Sequence, residues 1–467
     1  MDSVARIILM KTSPILPISK VTKARQTSFP PLGLLYLGEI LRRAGHEVKI
    51  LDQDATGYSN QKMFLRIKKF NPEILGVSPL TVTLDSALNI AEMVKNWNEN
   101  VQIVFGNILA TLAPHHLLKY PFIDYCLRGE AEFTFPEFVK ILEHGGVPTA
   151  VPGCAYRQNG SIRINPLPPL NRNLDLVPIP DRKALLDFDY RLGSHKFTIL
   201  ATSRGCPFRC KFCSVHLVSD SRGIWRRRSI EHVLEELHLL QSQGYQELSF
   251  VDDCFTVNPK RTVLLCQRMK KEKIDMVWSC EGRIDQCTKE LLRTMRYANC
   301  YNLILGIESA NQRILDYYNK QITPEMSRKV VQNVKKAGIE NLAGLFVVGG
   351  PDETVQEIMH TLKFGLELDL TFIQYQLLYI LLGSELWNES VEKGLINEDR
   401  NWNKNLIVAD LYPTAVKREK IEAMIDKAFI QFLSRPKYLI KELFRTVKSP
   451  YRLQNVYTLL DYKLNKD

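Results

Sequence analysis

Over the first 156 residues, short apolar runs alternate with longer amphipathic stretches. Residues 7–10 (IILM), 48–51 (VKIL), 74–77 (ILGV), 103–105 (IVF) and 123–127 (IDYCL) read as strands, and residues 34–44, 86–97 and 134–143 as helices. Strands separated by helices of this length predict a parallel sheet covered on both faces. Ligands of such sheets bind outside the carboxyl ends of the strands, where the strand order reverses. Three turns are placed there: Ser78-Pro79-Leu80-Thr81, Gly106-Asn107 and Arg128-Gly129-Glu130.

Between residues 157 and 190 the pattern fades into a stretch rich in Pro, Asn and Arg. It reads as a linker with a small hairpin around Asn159-Gly160. A second strand and helix series follows over residues 191–385, with strands expected at 197–202, 248–251, 276–280, 302–306, 344–348 and 372–378. Asn258 before Pro259 and Thr323 before Pro324 each put a capping side chain ahead of a first-turn proline. Six such units predict a full or partial (β/α)6 barrel of the TIM type, with working residues on the loops after its strands. From residue 386 to 467 the pattern turns helical, over 417–433 and from 437 onward, and reads as a small helical domain. The expected fold class is α/β throughout: a Rossmann-like domain (1–156), a linker, the barrel and the helical tail.

At 467 residues the chain is too long for one ordinary core, which agrees with two or three domains. No apolar stretch approaches the roughly 18 to 20 residues that span a bilayer, so a cytoplasmic protein without a membrane span is expected. Ten cysteines, three of them clustered, point to metal ligation in a reducing compartment. The net charge of +11 suits an acidic partner, yet Lys and Arg are interleaved with Asp and Glu and no nucleic-acid-binding motif is present.

The cluster of cysteines lies just after the first expected barrel strand, in Ser203-Arg204-Gly205-Cys206-Pro207-Phe208-Arg209-Cys210-Lys211-Phe212-Cys213. A C-x3-C-x2-C loop wraps one small inorganic centre. Zinc normally takes four protein ligands in paired arrangements, and no second pair lies nearby, although Cys254 or Cys280 offers a fourth thiol. Three thiolates on a four-iron cluster leave one iron open to a substrate.

This loop resembles that of the radical S-adenosylmethionine superfamily, which sits after the first strand of a partial (β/α)6 barrel. The resemblance implies that Cys206, Cys210 and Cys213 hold a 4Fe-4S cluster whose open iron chelates S-adenosylmethionine and cleaves it to a 5'-deoxyadenosyl radical. Phe212 matches an aromatic position against the adenine, or else packs in the core. Asp252 and Asp253 in Phe250-Val251-Asp252-Asp253, Arg283 in Gly282-Arg283-Ile284-Asp285 and Glu308 in Gly306-Ile307-Glu308-Ser309 match later cofactor-contact positions. A structural reading stands beside these: the two aspartates cap the following helix, with Arg283 as their ion partner. The run Phe346-Val347-Val348-Gly349-Gly350-Pro351-Asp352-Glu353-Thr354 resembles the family's glycine-rich strand end near the adenine, which implies a role for Gly350, with Asp352 where glycine is more usual.

The amino half resembles the cobalamin-binding domain of one branch of that superfamily, through Pro30-Pro31-Leu32-Gly33-Leu34-Leu35-Tyr36-Leu37, Gly45-His46-Glu47-Val48, Leu75-Gly76-Val77-Ser78, Phe105-Gly106 and Arg128-Gly129-Glu130-Ala131-Glu132. The resemblance implies a cobalamin site that includes Ser78, Thr81, Gly106, Leu109, Thr111, Arg128, Gly129 and Glu130; the competing reading is a generic Rossmann-like domain that holds another ligand or none. The D-x-H-x-x-G motif is missing, since Asp52-Gln53-Asp54-Ala55-Thr56-Gly57 carries no histidine. The usual glycine pair and histidine are altered to Gly106-Asn107-Ile108-Leu109. Leu109 lies beneath the corrin or in the core, and His46, His115 and His116 read as surface or helix-terminal residues rather than ligands.

Together these features imply a cobalamin-dependent radical S-adenosylmethionine C-methyltransferase. It would move a methyl group through methylcobalamin to an unactivated carbon, with ferredoxin or flavodoxin as electron donor. Ring formation, oxidation or rearrangement with the same cofactors is the alternative, and a cofactor-binding sensor a further one. The substrate is open; a peptide or protein side chain, such as a glutamine of methyl-coenzyme M reductase, is one possibility. Tyr375, Gln376, Tyr379, Glu385 and Trp387 either face it or join barrel to tail.

Overall fold

The computed structural model describes residues 4–14, 28–185, 187–217 and 223–448. Two compact units are present: Met1–Tyr190 with Ser214–Arg222 and Asn397–Asn405, and Arg191–Cys213 with Gly223–Ile396 and Leu406–Asp467.

The first unit holds strands β1 (Arg6–Lys11), β2 (Glu47–Asp52), β3 (Ile74–Ser78), β4 (Gln102–Phe105), β5 (Tyr125–Leu127), β6 (Cys154–Gln158) and β7 (Ser161–Ile164) in the order β2-β1-β3-β4-β5-β6-β7. Pairing is parallel from β2 to β5 and antiparallel beyond. Successive side chains of a strand point to opposite faces, and Ile7, Ile8, Leu9 and Met10 are all buried, so both faces of β1 are covered. Ile7 and Leu9 pack with Leu34, Leu35 and Leu41 of helix Leu32–Arg43 and Phe135, Phe138 and Val139 of helix Thr134–Glu143.

The hairpin at Asn159-Gly160 forms, with both turn residues at positive φ (49° and 74°). It extends the first sheet rather than standing in a linker, because β6 hydrogen-bonds to β5 and carries the ladder on to Ile164. Helix Asn60–Phe70 is a further element beyond the sequence expectation. Ser59 caps it, accepting from the Lys62 amide, and Met63, Ile67 and Phe70 form its buried stripe.

In the second unit β8 (Arg191–Leu192) pairs antiparallel with β9 (His195–Leu200), and β10 (Ser203–Arg204) with β11 (Arg226–Arg227). Strands β12 (Glu247–Phe250), β13 (Val277–Arg283), β14 (Cys300–Glu308), β15 (Asn341–Val348) and β16 (Phe372–Leu377) complete a seven-stranded sheet, β16-β15-β14-β13-β12-β9-β8. The six long strands are parallel, with helices between them, giving a half-barrel. Asn258 and Thr323 cap their helices as expected, accepting from the amides of Arg261 (3.0 Å) and Met326 (3.1 Å). Helix Arg418–Leu433 of the tail packs on the half-barrel, where Phe432 joins its main core. The part of the expected tail beyond residue 448 lies outside the described residues. No described helix is long and apolar enough to cross a membrane.

Candidate active site and cofactor folds

The loop after β9 carries the three cysteines, and the strand next to β9 fixes its entry. Asp252, just past β12, is buried and accepts from the Thr202 amide (3.0 Å), the Thr202 hydroxyl (2.7 Å) and the Ser203 hydroxyl. Asp253 accepts from the Gly205 amide at 2.7 Å, where φ of 81° turns the chain toward Cys206. Burial raises both carboxyls above the usual aspartate range, opposed by these hydrogen bonds. The aspartates thus hold the loop, and the helix after them is capped by Asn258 instead.

The far part of the loop is pinned through its backbone. The Lys211 amide donates to the Tyr318 carbonyl, the Leu386 amide to the Lys211 carbonyl and the Cys213 amide to the Cys210 carbonyl, each at 3.0 Å. The Asn319 side-chain amide donates to the Arg209 carbonyl at 2.9 Å, and Lys211 pairs with Glu389 at 2.9 Å. Phe212 packs edge-on against Tyr318, with ring centroids 5.3 Å apart.

Arg283, at the end of β13, reaches the Cys210 sulfur at 3.6 Å. Its guanidinium lies over the Phe208 ring (3.7 Å), pairs with Asp285 (2.9 Å) and donates to the Lys320 carbonyl. Its ion partner is therefore Asp285 and not Asp252 or Asp253. Glu308, with φ of 64°, forms a buried ion pair with Lys320 at 2.6 Å. Burial opposes the Lys320 ammonium most strongly, yet the Glu308 carboxylate and the Cys210 sulfur together keep that pKa above the usual lysine range.

Sequence reasoning passed over Lys320 and also Glu281. The Glu281 carboxyl is raised, first by burial and then by Glu308. A lysine within one loop and a glutamate in mid-strand carry no local signal; only the curl of the sheet brings them beside Glu308. At the end of β15 the amides of Gly349 (2.7 Å) and Gly350 (2.9 Å) donate to Glu353, whose carboxyl burial pushes up to about 7. Asp352 holds φ of 57°. Tyr375 and Trp387 are committed elsewhere: the Tyr375 hydroxyl donates to the Leu362 carbonyl (2.7 Å), and Trp387 is buried beside Leu378 and Ile380.

The donor set fits an iron-sulfur cluster. All three cysteines are free thiols on one loop, Cys210 buried and the others partly so, and Arg283 places a cation against one sulfur. Burial pushes the Cys206 thiol up to about 12.

In the first unit the order β2-β1-β3 puts the switch point between β1 and β3. Thr12 after β1 donates to Thr83 after β3 at 2.9 Å, and between Ser78 and Thr83 the side chains of Leu80 and Val82 stand exposed beside Thr81. Apolar side chains exposed at the carboxyl edge of a sheet suit the flat apolar face of a large macrocycle such as a corrin.

The Asn107 amide group donates to the Ser78 hydroxyl (3.1 Å), and Asn107 itself sits at φ of 69°. Thr111 accepts from the Gly129 amide (2.9 Å), while Arg128 donates to the Thr111 carbonyl (3.2 Å) and the Asn165 carbonyl (2.9 Å). A side chain at Gly106 would meet only the Leu127 carbonyl, at 3.9 Å, so that approach is open, whereas Leu109 is 1% exposed. Asp52 is buried in a network with Tyr190 (2.7 Å) and Lys11 (3.3 Å). Glu130 follows Gly129, whose φ is 75°.

Comparison with known proteins agrees with both halves. Residues 200–365 match the radical SAM superfamily and residues 18–139 the B12 binding domain. A protein from Pyrococcus horikoshii, "Uncharacterized methyltransferase PH0819", is 36% identical over 441 residues, covering 93% of this chain and 95% of that one. The "Anaerobic magnesium-protoporphyrin IX monomethyl ester cyclase" of Rubrivivax gelatinosus is 26% identical, covering 91% of this chain and 80% of its own. The solved structure of the "Cobalamin-dependent S-adenosylmethionine radical enzyme OxsB" shares the fold, with TM-score 0.74 and 19% identity over 97% of this chain and 72% of that one. The family's cofactors are a 4Fe-4S cluster, S-adenosylmethionine and cobalamin. This chain belongs to the cobalamin-binding radical S-adenosylmethionine enzymes, the family of the cobalamin-dependent radical methyltransferases.

Proposed function

We propose that the protein is a C-methyltransferase acting on an unactivated carbon, with Cys206, Cys210 and Cys213 holding the cluster. The observation that carries this reading is the thiol loop after β9, with Arg283 against Cys210, in a chain that also bears a B12 binding domain. When bound, the cluster supplies the electron that cleaves S-adenosylmethionine, and cobalamin supplies the methyl group.

This chain's own residues contribute position. Asp252 and Asp253 set the loop on the sheet, and Arg283 keeps a positive charge beside one sulfur. Phe212, Glu308 and the Gly349-Gly350 turn are assigned to the S-adenosylmethionine side. Ser78, Thr81, Gly106, Thr111, Arg128, Gly129 and Glu130 are assigned to the cobalamin side, with Leu109 packed beneath them. A rigid loop holds reacting groups at near-attack distance, which is the main protein contribution in radical transfer.

The full-length similarity to a protein named a methyltransferase supports methylation over ring formation. The net charge of +11 favours an acidic substrate or a protein partner, and a reductant of the ferredoxin or flavodoxin kind completes the cycle. The test is anaerobic turnover of reconstituted protein with methyl-labelled S-adenosylmethionine and candidate substrates. A product heavier by one methylene unit, with 5'-deoxyadenosine and S-adenosylhomocysteine formed together, is expected. A product of unchanged carbon count would favour the cyclase chemistry of the Rubrivivax relative.

A further inference from the structure

Within the first unit, helix Pro114–Leu117 presents two consecutive histidines, and the segment Asn397–Asn405 places a carboxylate over them. Donor atoms of His115, His116 and Asp399 all lie within 4.8 Å of one another. The His116 Nε2 is 3.8 Å from Asp399 Oδ1, too far for a hydrogen bond. Among the described residues neither imidazole has a hydrogen-bond partner, although His116 is only 4% exposed. The His116 side chain is thus held almost entirely within the protein while its ring nitrogens stay free to bind a ligand.

The arrangement is ordered from behind. The His116 ring stacks flat on Trp402, with centroids 5.0 Å apart and planes within 5°, and the His115 ring lies 3.9 Å from that of His116. Burial first, and then the Lys119 charge, keep the His115 imidazole below the usual histidine range; His116 is lowered by burial, His115 and Lys119. Both rings therefore offer lone pairs at neutral pH.

We infer that His115, His116 and Asp399 form a binding site for a divalent first-row cation of the zinc class, separate from the cluster and the corrin. Two imidazoles and a carboxylate suit zinc, and three protein ligands leave a fourth position for water. Ligand distances of about 2.0–2.2 Å put tetrahedral donors about 3.4 Å apart, so the His116–Asp399 gap of 3.8 Å closes by rotation of the Asp399 side chain, 79% exposed, and the exposed His115 ring turns in to complete the set. Metal at this place adds coordination bonds to the Trp402 stacking that already holds residues 397–405 against helix Pro114–Leu117.

The test uses the reconstituted full-length holoenzyme, dialysed anaerobically against micromolar zinc chloride, with zinc and iron measured together. One zinc per chain beyond the iron is expected. His115→Ala and Asp399→Ala alter exposed side chains and leave iron and cobalamin content unchanged, yet each weakens zinc retention at least tenfold. Zinc also slows tryptic cleavage after Arg400 and Lys404 in the parent and not in His115→Ala. No zinc uptake, or equal uptake by parent and both variants, overturns the site.

Discussion

Two positions that the family resemblance matches to glycine have a backbone that accommodates another residue. Asn107 and Asp352 both sit at left-handed φ, 69° and 57°. Asn and Asp are the non-glycine residues that best accept that region. Asp352 is exposed, so Asp352→Gly is expected to stabilise by a few tenths of a kcal/mol and Asp352→Ala to cost about 1 kcal/mol. Urea midpoints of the two variants read this directly, and an equal effect of both would contradict it.

Glu353 carries a pH signature. It is 1% exposed, and burial raises its carboxyl from 4.5 to about 7. A carboxyl raised on folding binds its proton more tightly in the native state. Its stabilising contribution is therefore full below pH 4.5 and is lost as pH rises through about 7. The parent should lose up to about 3 kcal/mol across that window through this group. Glu353→Gln keeps one carbonyl acceptor for the two glycine amides and flattens the profile. An unchanged slope between pH 5 and 8 in the variant would refute the assignment.

At the scale of elements, the loop after β9 depends on a neighbour 50 residues away in sequence. Asp252→Ala leaves the Thr202 amide and two hydroxyls without their acceptor in a buried setting, a loss of about 2–4 kcal/mol. Iron retention after reconstitution should fall with it, since the loop loses its anchor. Retention of iron at the parent level, in a variant destabilised as stated, would show that the thiols hold the loop unaided. Helix caps tell the same story on a smaller scale: Thr323→Ala removes the acceptor for the Met326 amide and costs about 1 kcal/mol by denaturant titration.

For the whole molecule, the two cofactor folds are built from separate residues. The triple variant Cys206→Ala, Cys210→Ala and Cys213→Ala is expected to lose iron and all 5'-deoxyadenosine formation while still binding one cobalamin per chain. None of the three residues belongs to the first sheet or its edge loops. Gel filtration with corrin absorbance measures it, and loss of the corrin along with the iron would mean that one site is built on the other.

Much of this was legible without coordinates. Short continuous apolar runs set β1, β3 and β4, proline after a capping side chain set two helix starts, and the cysteine spacing set the cluster loop. Each of these signals is local, so the chain carries it in a few neighbouring residues. Tertiary structure alone decided that the Asn159-Gly160 hairpin extends the first sheet, that Asp252 and Asp253 secure the loop, and that Arg283 pairs with Asp285 while touching Cys210. It alone set Glu281 and Lys320 beside Glu308, and Asp399 over His115 and His116. Apart from the Arg283–Asp285 pair, those relations join residues distant in sequence, and what fixes them all is sheet order and the burial of polar groups that must find partners, neither of which is written in any short stretch of the chain.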